Sequence, residues 1–167
     1  MAECSCGCSN DCCKPAYENK KIKIDFLYLD LDVCERCQST DDSLGQAIGD
    51  VSAVLKAAGY DITVNKIHIA TKELAMKYEF ISSPTIRING KDIALELKES
   101  NCKDCGDLCG DSVDCRVWVY EGSEYTSPPK EMIINAILRE VYNPGSYGKK
   151  EEYKMPENLE IFFKARQ

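Results

Sequence analysis

Cys34, Glu35, Arg36 and Cys37 place two thiols two residues apart at the end of an apolar run, and Pro84 follows downstream in Ser83-Pro84-Thr85. Thiols at this spacing close a small disulfide reversibly, and a proline set beside such a pair is how a thiol-disulfide exchange site is built. Zinc knuckles share the two-residue spacing, so half of a metal site is the competing reading. A second group, Cys102, Cys105, Cys109 and Cys115, puts four sulfurs within 14 residues. Four thiolates suit Zn²⁺ or an iron-sulfur cluster, and two disulfides or a second exchanging dithiol are the alternatives. The surrounding loop offers only Leu108 and Val113 to bury and so needs an organiser, which favours a metal. A third group, Cys4, Cys6, Cys8, Cys12 and Cys13, either binds soft ions or consists of incidental thiols on a tail.

Composition narrows the setting for this chemistry. With 167 residues, 44% of them hydrophobic, the chain can bury a core without covalent staples. Its 11 cysteines are an odd number, so they cannot all pair, and dense thiols of this kind point to metal binding or catalysis in a reducing cytoplasm. The first residues carry no apolar signal core, and no stretch approaches the roughly 20 apolar residues of a membrane span. A net charge of −7 without a basic stripe argues against nucleic acid as a partner. Gly-rich phosphate loops, nucleophile elbows and His-based metal motifs are missing from the sequence, which sets aside nucleotide hydrolysis, ester hydrolysis and zinc proteolysis. The expected partners are a protein or small-molecule disulfide and a reductant.

The elements that must position these thiols follow from periodicity. Residues 1–19 read as a flexible Cys-rich tail. Residues 22–31 are apolar on both faces, as in a central strand. Thr40, Asp41, Asp42 and Ser43 supply capping side chains, so a helix is expected to begin there, carry Leu44, Ile48, Val51 and Leu55, and stop at Gly59. Ile62, Val64, Ile67 and Ile69 predict a second strand with a register break near Asn65-Lys66, followed by a short helix from Glu73 to Tyr78. This βαβ order implies a parallel pair. Asn89-Gly90 predicts a hairpin between residues 85–88 and 93–96, and Gly122 a shorter one after the Cys-rich loop. Pro128-Pro129 opens a helix with Met132, Ile133, Ala136, Ile137 and Val141 on one side, expected to cover the sheet face opposite the first helix. Residues 144–167 form an extension in which Leu159, Phe162 and Phe163 dock back. His68, within a strand pattern, reads as a packed or half-exposed strand residue, and Trp118 as cover for the core edge. Arg87 and Arg116 read as exposed strand residues or as anion ligands near Cys34.

Strand, Cys-x-x-Cys, helix, strand, helix, Ser83-Pro84-Thr85, hairpin and helix is an order that resembles the thioredoxin and glutaredoxin superfamily over residues 22–141. The combination of Cys-x-Arg-Cys, Ser-Pro-Thr-Ile-Arg and a Cys-rich insertion is similar in particular to a prokaryotic thioredoxin-like family of unassigned function. The resemblance implies an α/β fold with a thioredoxin-like βαβ-ββα core spanning residues 20–143, with the Cys-rich insertion at about 100–115. It further implies that Cys34 attacks, Cys37 resolves, Pro84 is a cis-proline and Thr85 follows it in the substrate groove. The favoured function is thiol-disulfide exchange. The alternatives are a soft-metal or metalloid binding and delivery protein and an iron-sulfur electron-transfer protein.

Overall fold

A strand buried on both faces seeds the architecture. In a computed structural model that describes residues 18–110, 112–145 and 152–166, β1 (Lys20–Tyr28) turns Ile22, Ile24 and Phe26 to one side and Leu27 to the other, and Leu29 just beyond it is buried with Leu27. Both faces of the sheet therefore need covering, and the chain covers them with different material.

Helix α1 (Glu35–Ala57) returns the chain to β2 (Tyr60–His68), which lies parallel to β1. The register runs unbroken from Lys20 opposite Tyr60 to Tyr28 opposite His68, so the break expected near Asn65-Lys66 does not occur. The amide of Asn65 binds Asp25 and the Lys66 ammonium binds Asp41, which gives these polar residues partners while the strand continues. Helix α2 (Lys72–Lys77), capped by the Thr71 hydroxyl, leads to β3 (Thr85–Ile88), antiparallel to β1 on its other side, and then to β4 (Lys91–Asp92). Asn89 and Gly90 both have positive φ, 50° and 82°, as a two-residue hairpin matched to strand twist requires. The hairpin is shorter than expected because the chain leaves β4 after Asp92. The sheet order is β2-β1-β3-β4.

A second sheet follows, with the order β5-β6-β7, from β5 (Lys98–Asn101), β6 (Asp114–Tyr120) and β7 (Ser123–Tyr125). Between β5 and β6 the expected loop holds a helix, α3 (Lys103–Cys109), ended by Gly110 at φ 70°. Helix α4 (Lys130–Tyr142) then packs Met132, Ile133, Ala136, Ile137 and Val141 into the same cluster as Leu44, Ala47, Val51 and Leu55 of α1. It thus shares a face with α1 instead of covering the opposite one. An amphipathic stripe fixes which side of a helix is buried, but not which side of the sheet it meets.

The opposite face belongs to the cysteines. Leu27, Leu29, Ile69, Ala75 and Phe80 pack there with Cys34, Cys37, Cys102, Cys105 and Cys115, sealed by Leu159, Phe162 and Phe163 of α5 (Glu157–Ala165). The N-terminal cysteine tail lies outside the described residues up to residue 17. Among the described residues no helix is long and apolar enough to cross a membrane.

Candidate metal centre

The site is assembled from three places in the chain. Cys34 is the N-cap residue of α1, with extended backbone at φ −83°, ψ 103°. The approach to it is fixed by Asp30, whose carboxylate accepts from the Asp32 and Val33 amides, and by Gln38, whose side-chain amide donates to the Leu31 and Asp32 carbonyls. The helix starts at Glu35, not at the Thr40 to Ser43 group expected to cap it. Thr40 instead lies inside it, its hydroxyl donating to the Arg36 carbonyl at 2.7 Å.

Cys102 is the N-cap residue of α3, with its amide held by the Val113 carbonyl at 2.8 Å, and Cys105 sits one turn further on. Cys115 follows on β6. The sulfurs of Cys34, Cys102, Cys105 and Cys115 all lie within 4.8 Å of one another and all four residues are buried, Cys34, Cys105 and Cys115 at 0% exposure. Cys105 and Cys115 are 3.4 Å apart, in hydrogen-bond contact and without a disulfide.

This group differs from the four-cysteine loop expected from sequence. Cys109 is not among the clustered sulfurs, and Cys34 stands in its place. Each residue of an α-helix rises about 1.5 Å, so Cys109, four positions past Cys105, is carried about 6 Å along α3. Its half-buried thiol lies over the Gly106 carbonyl at 3.8 Å.

Arg36 and Asp104 lock the insertion onto α1, and spacing patterns give neither of them this role. The Arg36 guanidinium donates to the carbonyls of Ser100, Asn101 and Cys115 at 3.4, 3.0 and 3.3 Å, gripping the β5–β6 ladder beside the sulfurs. Asp104 accepts from the Glu35 amide at 2.9 Å. An acidic residue just after a candidate ligand was the available signal for Asp104, but its partner is 69 residues away.

Charge is unevenly shared among the thiols. Hydrogen bonds from Cys102, Cys105, Cys115 and then Cys37 hold the Cys34 thiol far below the ordinary thiol range, against the opposing effect of burial. The positive end of α1 acts in the same direction. Cys102 is lowered to about 7 by its hydrogen bonds with Cys105 and Cys115. Cys105, chiefly through its bond to Cys102, and Cys115, through Cys102 and then Cys105, are pushed up and keep their protons near neutrality. Cys37 is also pushed up, first by donating to Cys34 and then by burial. Its sulfur is 3.4 Å from the Ser83 hydroxyl, which in turn accepts from the Leu29 amide.

The remaining expected site residues have partners within the chain, and Pro84, Thr85 and Arg116 are buried. The Ser83–Pro84 bond is cis. The Ser83 carbonyl accepts from the Arg116 amide of β6 at 2.7 Å, so the backbone beside Pro84 is already paired by the chain's own insertion. Thr85 donates to the Ser82 carbonyl and accepts from the Arg116 guanidinium. Arg116 is not exposed, and the anion it binds is the chain's own Asp92: at 2% exposure it forms a two-point pair with that carboxylate and stacks over Trp118. Trp118 is buried in the α1/α4 cluster. Arg87 donates to the carbonyls of Tyr78 and Glu79. His68 bonds the Leu29 carbonyl and stacks on Tyr28.

A tetrahedral ion with metal-sulfur bonds of about 2.3 Å sets its ligand sulfurs roughly 3.8 Å apart. Four sulfurs within 4.8 Å of one another fit one ion of that kind. A multi-iron cluster, with several metal atoms between its outer sulfurs, spreads them further apart. Residues 22–137 match a family described as Domain of unknown function (DUF2703). No curated protein and no solved structure matches the chain.

Proposed function

The chain belongs to the DUF2703 family, and from that premise we propose that it is a thioredoxin-like domain that binds one thiophilic metal ion, Zn²⁺ in the first instance, through Cys34, Cys102, Cys105 and Cys115. The observation that carries this reading is the closure of four buried sulfurs from distant parts of the chain within 4.8 Å. What supports the thioredoxin-like core is the sheet order β2-β1-β3-β4, the parallel β1–β2 pair joined through α1, and the cis Ser83–Pro84 bond near the Cys-x-x-Cys pair. Four protein thiolates complete a tetrahedral shell and leave no open position, the pattern of closed sites and not of metal-dependent hydrolysis. The Cys34 thiolate is the first anchor, Cys102 is close to ionised at neutral pH, and Cys105 and Cys115 give up protons as the ion enters. Arg36 and the N-terminus of α1 offset the surplus negative charge.

The test is metal content with Co²⁺ substitution. Protein purified without chelator is expected to hold one zinc per chain, and the Co²⁺ form to show the intense thiolate charge-transfer and tetrahedral bands of a four-sulfur site. Cys34→Ser and Cys115→Ser should lose the ion while Cys109→Ser keeps it. Metal-free wild-type protein, or equal loss in Cys109→Ser, would overturn the assignment. Iron in place of zinc would keep the site and change the ion.

Thiol-disulfide exchange is the second reading, favoured by the thiolate character of Cys34 beside Cys37 and the cis Pro84. Its substrate would be a protein or small-molecule disulfide, with a separate reductant. Burial of Cys34 and the pairing of the Ser83 carbonyl with β6 require the insertion to lift first. Disulfide reduction by wild-type protein but not by Cys34→Ser, faster after chelation, would support it.

A further inference from the structure

Five buried thiols meet on this face and a tetrahedral ion uses four. The fifth, Cys37, is fully buried and is not in the ligand group. Cys34 and Cys37 are the N-cap and third residues of α1, and side chains three apart at a helix start lie on one face. In regular helix geometry residues three apart have Cα atoms about 5 Å from each other, a separation that a disulfide bridges. The Ser83 hydroxyl beside Cys37 holds the second sulfur in place.

We propose that Cys37 converts the metal centre into a peroxide-operated release site, in which oxidation joins Cys34 to Cys37 and removes one of the ion's four ligands. The proposal rests on the metal-binding reading above. The Cys34 thiolate attacks hydrogen peroxide, forming a sulfur-oxygen bond as the peroxide bond breaks and hydroxide departs. The Cys37 thiol then attacks that sulfur, the disulfide forms, and water leaves with the Cys37 proton. Two sulfurs lose two electrons in total, and the peroxide oxygens end as one hydroxide and one water. The ion is left on Cys102, Cys105 and Cys115, which take up protons as it departs.

Two features select this pair and this oxidant. Joining Cys105 to Cys115, although they are 3.4 Å apart, would consume two ligands, whereas joining Cys34 to Cys37 consumes one and uses a thiol that has no role in the shell. Cys34 and Cys37 have no exposed surface, and the backbone beside Pro84 is paired with β6, so any oxidant needs a local opening, and a hydroperoxide of two heavy atoms needs a far smaller one than a peptide disulfide.

The experiment adds one equivalent of hydrogen peroxide to zinc-loaded wild type, Cys37→Ser, Cys37→Ala and Cys109→Ser, follows released zinc with a chromogenic chelator, and maps disulfides by mass spectrometry. Wild type and Cys109→Ser are expected to release zinc with a Cys34–Cys37 disulfide, and a dithiol reductant to restore binding. Both Cys37 variants should load one zinc and release it about tenfold more slowly, since the other sulfurs near Cys34 are held by the ion and none is free to resolve the oxidised thiol. Release at the wild-type rate from the Cys37 variants, a Cys105–Cys115 disulfide in wild type, or zinc retained through oxidation would each overturn the proposal while leaving the metal site standing. Proteins that all purify and titrate without metal would overturn both.

Discussion

The Glu35 backbone amide donates to the Asp104 carboxylate, so the first turn of α1 is capped by a residue of the Cys-rich insertion. Cys34, at the N-cap position, makes no side-chain cap of its own. Its sulfur is thereby left for the metal centre, and capping falls to a residue beyond the helix. Asp104→Ala should cost about 1 kcal/mol of stability, the usual worth of an N-cap, and weaken zinc binding, whereas Asp104→Asn should retain most of both. Equal losses in the two variants in chelator competition would show that charge, not capping, is what Asp104 supplies.

Binding should weaken as pH falls. In the ion-free protein Cys105 and Cys115 are held above the ordinary thiol value and keep their protons, while Cys34 is held below it. Loading the ion therefore expels about two protons, and log affinity should fall by about two per unit of decreasing pH. Below pH 7, protonation of Cys102, lowered to about 7, steepens the slope towards three. Competition titrations between pH 6 and 8 measure this directly, and a slope near zero contradicts the charge distribution.

Arg116 is a buried cation whose guanidinium depends on Asp92 and Thr85. Asp92→Ala leaves that charge without its counterion and should cost about 3 kcal/mol, whereas Arg116→Met, which removes charge and burial penalty together, should cost less than about 1 kcal/mol. Urea unfolding of the two variants settles the order. A larger loss for Arg116→Met would mean that its bonds to Thr85 and its stacking on Trp118 outweigh the penalty of burying it.

Phe162 is 1% exposed against the cysteine-bearing face. Phe162→Ala should destabilise the protein by about 3 kcal/mol through lost burial and the cavity left behind. Because α5 packs on α2 and α3, it should also speed zinc loss to a chelator. Unchanged release alongside lowered stability would separate the seal from the metal centre.

The local parts of this site were legible in the sequence and its closure was not. Cys34 and Cys37 at a strand end, the Asn89-Gly90 turn and the stripe through Met132 and Ile137 are signals within a few residues, and a strand end, a turn and a helix form there, although the hairpin is shorter, α1 starts earlier and α4 lies on the other face than expected. That Cys34 completes a group with Cys102, Cys105 and Cys115 depends on how β6 docks against Ser83, a contact that no local period encodes. Helix α3 was hidden for a related reason: seven residues with Gly106 among them have little propensity of their own and are held by tertiary partners. The start of α1 was misplaced because Thr40 and Asp41 carry good capping side chains that are spent on the Arg36 carbonyl and Lys66.

The carbonyl of Ser83 that receives the Arg116 amide also shapes how the molecule comes apart. The second sheet and α3 leave the first sheet after β4 and return to it at α4, so in the metal-free chain this excursion is tethered at both ends and docked by Trp118 in one cluster, by Val113 and the buried cysteines in the other, and by the polar contacts of Arg36, Asp104 and Arg116. Such a unit opens on its own, below the energy of global unfolding. An ion bridging Cys34 to Cys102, Cys105 and Cys115 welds the excursion to the core and merges two cooperative units into one. Amide exchange across β5, α3 and β6 would then slow to the rate of the central strands when zinc is bound, and the melting profile would sharpen from two steps to one.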